Sequence, residues 1–305
     1  MNAYTNEVVL RSAPVRQDSR VFRSRVTAVS VVFLCLLLAG CSATRVLYNQ
    51  LDWVVIWYLD GYFSLDEAQE EQLRETVTRN FEWHRRTQLP RYAQYCRELE
   101  RESRGVLTAD ILEERYQRTI ELWDELIGQA TPGIAAFFLT LTDEQIDEFI
   151  VNLEENNQEL WEKYGGETPE ERRARRQKGA IKGFKRVIGR LNSEQQALVR
   201  VYMANMHDVS EEWMAGRRRW QQAFRTLLVE RPAEPEFSER FLQLMMDPNR
   251  TDEPEYREKV AANRKLTFDM IIALSAQLTD AQRERLSGRL LRYARDFEIL
   301  AGQKM

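Results

Sequence analysis

The chain has 305 residues, in which 44 lysines and arginines face 48 aspartates and glutamates for a formal charge of −4 at neutral pH. That balance argues against nucleic acid as a general partner. With only two histidines, His84 and His207, no multi-histidine metal centre can be assembled.

At the N-terminus, Arg11, Arg16, Arg20, Arg23 and Arg25 precede the apolar run VTAVSVVFLCLLLA, which ends in Leu38, Ala39, Gly40 and Cys41. The run falls short of the about 20 apolar residues of a membrane span. Residues 1–40 therefore read as a signal peptide with a small-residue cleavage site. An alternative start at Val21 would keep Arg23 and Arg25 ahead of the run. LAGC resembles the lipobox of bacterial lipoproteins, which implies removal of residues 1–40 and acylation of Cys41 by diacylglycerol and a palmitate-type chain. Ser42 stands where an aspartate would favour the inner membrane, so the resemblance implies an outer-membrane address facing the periplasm. Loss of five arginines, Glu7 and Asp18 moves the net charge from −4 to −7. Cys35 leaves with the leader and Cys41 carries lipid, so Cys96 is the remaining thiol and no internal disulfide is expected. Cys96 itself reads as a small buried hydrophobe.

Residues 41–305 read as one periplasmic, all-α domain. LDWVVIWYLDGYF opens it without a polar tether, reading as a core helix or as a membrane-proximal one in which Trp53, Trp57 and Tyr58 rest among headgroups. Downstream, Tyr116, Ile120, Trp123 and Ile127 fall on one helical stripe, and Phe149, Ile150, Leu153, Leu160 and Trp161 on another. Trp83, Trp123, Trp161, Trp213 and Trp220 read as anchors between helices. Breaks are expected near Gly61, Gly105, Pro132, Gly165, Leu191, Pro232, the 248–254 loop and Leu278. Roughly eight helices follow, several long, with a candidate hinge near 229–238.

One five-residue pattern is written four times: LDEAQ at Leu65, LTDEQ at Leu141, LNSEQ at Leu191 and LTDAQ at Leu278. Thr142 with Gln145, Asn192 with Gln195, and Thr279 with Gln282 have the spacing of capping boxes, in which a cap side chain and a third-position amide each satisfy a free backbone N–H. At the first copy, Ser64 with Glu67 competes with Asp66 and Gln69. Thr168 with Glu171 opens another helix. The pattern resembles the L-T-x-x-Q motif of periplasmic stress chaperones of the Spy kind, which implies an ATP-independent, client-holding alternative. LAGC followed by RVLYNQLDWVVIWYLDGYFSLDEAQ and long charged helices is also similar to an uncharacterised family of proteobacterial lipoproteins, a domain of unknown function. That resemblance implies an envelope location and a helical fold, and supplies no activity.

Enzyme signatures are absent from the sequence: no HExxH, GxSxG, Walker loop or CxxC. His207 and Glu211, four apart, read as a solvated helical contact. RRARRQKGAIKGFKRVIGR, Arg172 to Arg190, carries nine cations and no acid. Ile181, Phe184 and Ile188 share one side, while Arg172, Arg175, Arg176, Lys178, Lys182, Lys185 and Arg186 cover the rest. Such a helix either meets an anionic lipid or acidic protein surface or is neutralised by the acidic segment Asp143–Glu171. Taken together, the sequence reads as a membrane-anchored, non-enzymatic binding module of the bacterial envelope, with no metal or cofactor. A Spy-like chaperone is the alternative, and a hydrolase with paired carboxylates a remote one.

Overall fold

A computed structural model describes residues 43–247 and 253–303, so Cys41 and Val21 lie outside the described residues. The chain divides into two units, 1–47 and 48–305, and the packing below lies within the second. The helices are α1 (Ala43–Tyr48), α2 (Leu51–Asp60), α3 (Glu67–Trp83), a π-helical turn (His84–Gln88), α4 (Leu89–Ser103), α5 (Ala109–Phe138) and α6 (Asp143–Tyr164). There follow α7 (Pro169–Ile188), α8 (Ser193–Asn205), α9 (Ser210–Glu230), α10 (Glu236–Met246), α11 (Pro254–Ala276) and α12 (Asp280–Gly302). No strand occurs among the described residues.

Counting the run through the π turn as one, there are eleven helices among the described residues where about eight were expected. Part of the difference is a break at residues 206–209, which the sequence reading did not foresee. Pro132, conversely, is no break: α5 runs through it for 30 residues. A proline removes its own N–H and crowds the carbonyl four back, which costs about 3 kcal/mol. Burial of Ile127, Thr131, Ala135 and Phe137 on both sides of it outweighs that local penalty.

All four pentads open helices with complete capping boxes, at Asp66, Thr142, Asn192 and Thr279. Asp66 with Gln69 therefore takes the first cap, leaving Ser64 to bond Glu148 instead. Beyond capping, the glutamines meet in pairs. Gln69 Nε2 donates to Gln145 Oε1 at 2.9 Å and Gln145 Nε2 donates back to Gln69 Oε1 at 2.7 Å. The second amide hydrogens go to backbone carbonyls, from Gln69 to Thr140 and from Gln145 to Ser64. Gln195 and Gln282 repeat the arrangement at 2.8 and 2.9 Å, donating to the Gln277 and Arg190 carbonyls. In each case the accepting carbonyl lies five residues before the partner glutamine.

Two helix-pentad-helix units, α2–α3 and α5–α6, are thus joined at one amide pair, and α7–α8 and α11–α12 at the other. Around the first pair, Phe63, Leu73, Val77, Phe137, Leu141, Ile146 and Phe149 form a core completed by Phe224, Leu227 and Leu228 of α9 and Phe237 and Phe241 of α10. The 229–238 connection joins those last two helices. Around the second pair, Ile188, Leu191, Val199, Met203, Met270 and Leu274 cluster. A third cluster, Tyr48, Leu89 and Leu300, lies where α4 packs along α12.

One apolar stripe and one expected tryptophan anchor differ from expectation. Of the four stripe residues on α5 only Ile127 is buried, while Trp123 is 53% exposed and Tyr116 and Ile120 are exposed beside it. Trp213 is also exposed, whereas Trp220 packs on the first core and donates its indole N–H to the Leu244 carbonyl. Periodicity finds the stripe, but a 30-residue helix is longer than the core it crosses.

Gln195 is fully buried, so truncating it orphans the Gln282 amide and two backbone groups. Gln195→Ala is expected to lower stability by about 2–3 kcal/mol in urea unfolding followed by circular dichroism. The double variant with Gln282→Ala is expected to cost clearly less than the sum of the two singles, because the second truncation removes a group the first had already stranded.

Candidate functional site

The basic helix α7 starts from a capping box between Thr168 and Glu171, with Pro169 in the first turn. It ends at Gly189, whose φ of 89° suits glycine and against which the Arg285 side chain lies. Apart from the exposed Arg173, its cations fall into two groups.

The first group turns inward. Arg172 is buried, donating through Nε to Asp208 at 2.7 Å and through Nη1 to the carbonyls of Gly165 and Glu167. Arg176 reaches the other Asp208 oxygen at 3.1 Å, and Arg175 Nε meets Glu167 at 2.7 Å. Burial pushes the Asp208 carboxyl up, but the Ser210 hydroxyl and the two guanidiniums together hold it well below the usual carboxylate range. Glu167 belongs to the acidic segment expected to neutralise α7, whereas Asp208 and Glu211 come from beyond it. The break at 206–209 is what brings Asp208 to Arg172. His207 lies in that same break, bonded through its backbone to Asn263, so it shares no helical face with Glu211.

The second group faces out. Lys178, Lys182, Lys185 and Arg186 are exposed, with no ion-pair partner among the described residues. Their spacing of four, three and one puts them on one side of the helix. Gly179 and Gly183, also exposed, have open space where a side chain would stand. Opposite them Ala180, Ile181 and Phe184 pack against the second core.

Helix α2 is likewise two-sided. Val55, Ile56 and Leu59 pack on the first core, while Trp53 is 58% and Tyr58 56% exposed. Trp57, half-buried, stacks on Trp53 at 6.3 Å, and the Tyr58 hydroxyl lies 2.9 Å from that of Tyr62.

A polar junction escaped the sequence reading. In the π turn, His84 Nδ1 lies 2.8 Å from the Tyr48 hydroxyl, and its ring stacks on Tyr48 and meets the edge of Tyr92. Arg85, buried, covers the Tyr48 ring and donates to the Leu300 carbonyl and to Asn49. Burial, aided by the neighbouring Arg85 charge, lowers the His84 pKa to about 4, and burial pushes Tyr48 up to about 12. The only sequence signal was a histidine beside two arginines, which has no period to read.

Elsewhere, a shallow cleft between α3 and α5 is lined by Arg79, Asn80, Gln129 and Pro132. Cys96 is half-buried, and burial raises its thiol pKa. Among the described residues no group of three or more His, Cys, Asp or Glu is placed to hold a metal ion, and no helix is long and apolar enough to cross a membrane.

A family described as "Family of unknown function (DUF6279)" matches residues 61–257, more than half of the chain. The chain belongs to DUF6279. The DUF6279 match takes in three pentads and all of α7, but begins just after α2 and ends before Gln282. No curated protein and no solved structure matches the chain. Membership in a domain-of-unknown-function family is thereby met; it brings no activity to the residues above.

Two expectations follow for stability. Arg172→Ala leaves Asp208 with Arg176 and Ser210 but removes a buried guanidinium that also holds the Gly165 and Glu167 carbonyls; it is expected to cost about 2–3 kcal/mol, against about 0.5 kcal/mol or less for Lys182→Ala. In the folded chain burial holds the His84 pKa near 4, well below its ordinary value of about 6.5. Between pH 6.5 and 4 the unfolded chain therefore holds more protons on this group, and stability falls as pH falls through that window, by up to about 3 kcal/mol. His84→Gln is expected to flatten this part of a stability-against-pH curve measured by urea unfolding.

Proposed function

We propose that this chain is a lipid-anchored protein of the bacterial envelope, held at the periplasmic face of the outer membrane through Cys41, that works by binding rather than by catalysis. The lipobox-like LAGC after an arginine-rich apolar leader supports the address. The observation that carries the binding reading is the division of α7. Three of its arginines are consumed inside the fold, while Lys178, Lys182, Lys185 and Arg186 stand together on an exposed face of an otherwise acidic chain. Four cations on one rigid face attract phosphate or carboxylate groups and select against like-charged surfaces. The partner is an anionic envelope component, a protein with an acidic surface or a lipid headgroup.

A second reading rests on α5. Its exposed Tyr116, Ile120 and Trp123 stripe would suit transient holding of unfolded clients, as in the chaperones that share the pentad. That reading requires suppression of aggregation for several unrelated clients, with loss of the effect in Trp123→Ser.

The anchor is tested by fatty-acid labelling in cells: the wild-type chain is expected to carry label, and Cys41→Ser to lose it and to retain its leader. Binding is tested by in-cell crosslinking followed by mass spectrometry. Reversing Lys178, Lys182, Lys185 and Arg186 to glutamate is expected to reduce a saturable crosslinked complex by about tenfold or more while leaving circular dichroism unchanged. An undiminished complex would remove the cationic face from the reading.

A further inference from the structure

A helix advances about 100° per residue, so the ten residues of α2 can be placed around its axis. Taking Trp53 as origin, Trp57, Val54 and Tyr58 fall within an arc of about 140°, with Gln50 and Gly61, just outside the helix, near its middle. Val55, Leu59 and Ile56 occupy the opposite side and pack on the first core. The arc from Trp53 to Tyr58 contains no charged residue, although Asp60 flanks it about 20° from Trp53 at the helix's last position. The helix's two acids, Asp52 and Asp60, stand near its ends. Large aromatics on a surface otherwise crowded with charge are an unusual thing to leave in water.

These rings are also held in place. Trp53 and Trp57 stack with an angle of 17° between their planes, and the Tyr58 ring packs 5.2 Å from that of Tyr62, which in turn meets buried Phe149. Each of Trp53, Trp57 and Tyr58 combines an apolar body with one N–H or O–H group. That combination suits a layer that is apolar on one side and rich in hydrogen-bond acceptors on the other, as lipid headgroups are. Trp53 follows Cys41 by twelve residues, with no glycine or proline between. Even fully extended, that length of chain reaches only about 40 Å.

We infer that the exposed arc of α2 is a membrane seat, in which Trp53, Val54, Trp57 and Tyr58 rest in the headgroup layer of the bilayer that holds Cys41. The choice of a lipid surface rests on the anchor reading above. The seat fixes which side of the first core faces the bilayer, so the protein is a peripheral body lying on the membrane instead of one swinging on a tether.

The test is residue-resolved hydroxyl-radical footprinting of the mature, lipidated chain on vesicles of phosphatidylethanolamine and phosphatidylglycerol. Trp123 and Trp213 are exposed at 53% and 44% and serve as internal references. Trp53 and Tyr58 are expected to be oxidised about fivefold more slowly than the exposure-matched reference, as headgroup burial requires. In a parallel measurement, lipids brominated near the headgroup are expected to quench the tryptophan fluorescence of the wild-type chain. The doubly substituted Trp53→Phe, Trp57→Phe chain is expected to lose that quenching. Oxidation of Trp53 at the rate of Trp123 on chain that sediments with vesicles would overturn the seat while leaving the anchor standing. Slow oxidation without bromine quenching would assign the arc to a protein surface, a second copy or a partner, and overturn the seat as well. Protection and quenching in a chain without fatty acid on Cys41 would uphold the seat and overturn the anchor.

Discussion

The fold depends on an amide meeting its own kind. A primary amide offers two hydrogens and an oxygen with two lone pairs. At each pentad pair both sets are used in full: the oxygen takes the N–H of its own helix cap and one partner hydrogen, while the nitrogen serves the partner oxygen and a partner carbonyl. Such a closed network tolerates burial because nothing in it is left without a partner, and it has one geometry rather than several. It converts a local device, the start of a helix, into a long-range one that brings residue 69 to residue 145 and residue 195 to residue 282.

Two of the three apolar clusters are arranged around these joints. The first gains a lid of aromatic rings from α9 and α10, where Phe138 packs edge-on against both Phe224 and Phe241. The second is mostly aliphatic and methionine-lined, closed by the apolar side of the basic helix. Because that helix must present Ile181, Phe184 and Ile188 to the core, its cations have no choice but the flanks and the outside. The inward flank recruits Asp208, and the outward one is left with charge. The cationic face is in this sense a by-product of packing that became a surface feature.

Much of this was legible in residue order. The absence of alternation, the 3.6-residue periods and the cap spacing gave an all-α chain and located four helix starts, since these depend on neighbours three or four residues apart. What escaped depends on neighbours far away. Nothing in LTDEQ says that its glutamine will face Gln69 rather than water. Pro132 marks a helix end by local rules, and only the surrounding core keeps α5 going. Trp123 lies on a proper stripe, yet the stripe outruns the body it was meant to cover. On α7 the split between paired and free cations was invisible because Asp208 is thirty-six residues from Arg172. Trp53 and Tyr58 could be placed on one helix from the sequence, but not on its outer side.

The π turn at His84–Gln88 carries one more lesson. A π turn holds a surplus residue relative to the α-helical repeat, and so shifts the phase of everything after it by about a quarter of a revolution. That shift aligns Arg97 with Glu298 and Glu100 with Ser287 along the contact between α4 and α12. Excising a single residue there would leave a smoother helix and a worse protein, since the whole of α4 would rotate away from the surface it was cut to fit. Regularity and fitness part company at that point, and a lineage carrying the surplus residue is locked into it by every contact made downstream.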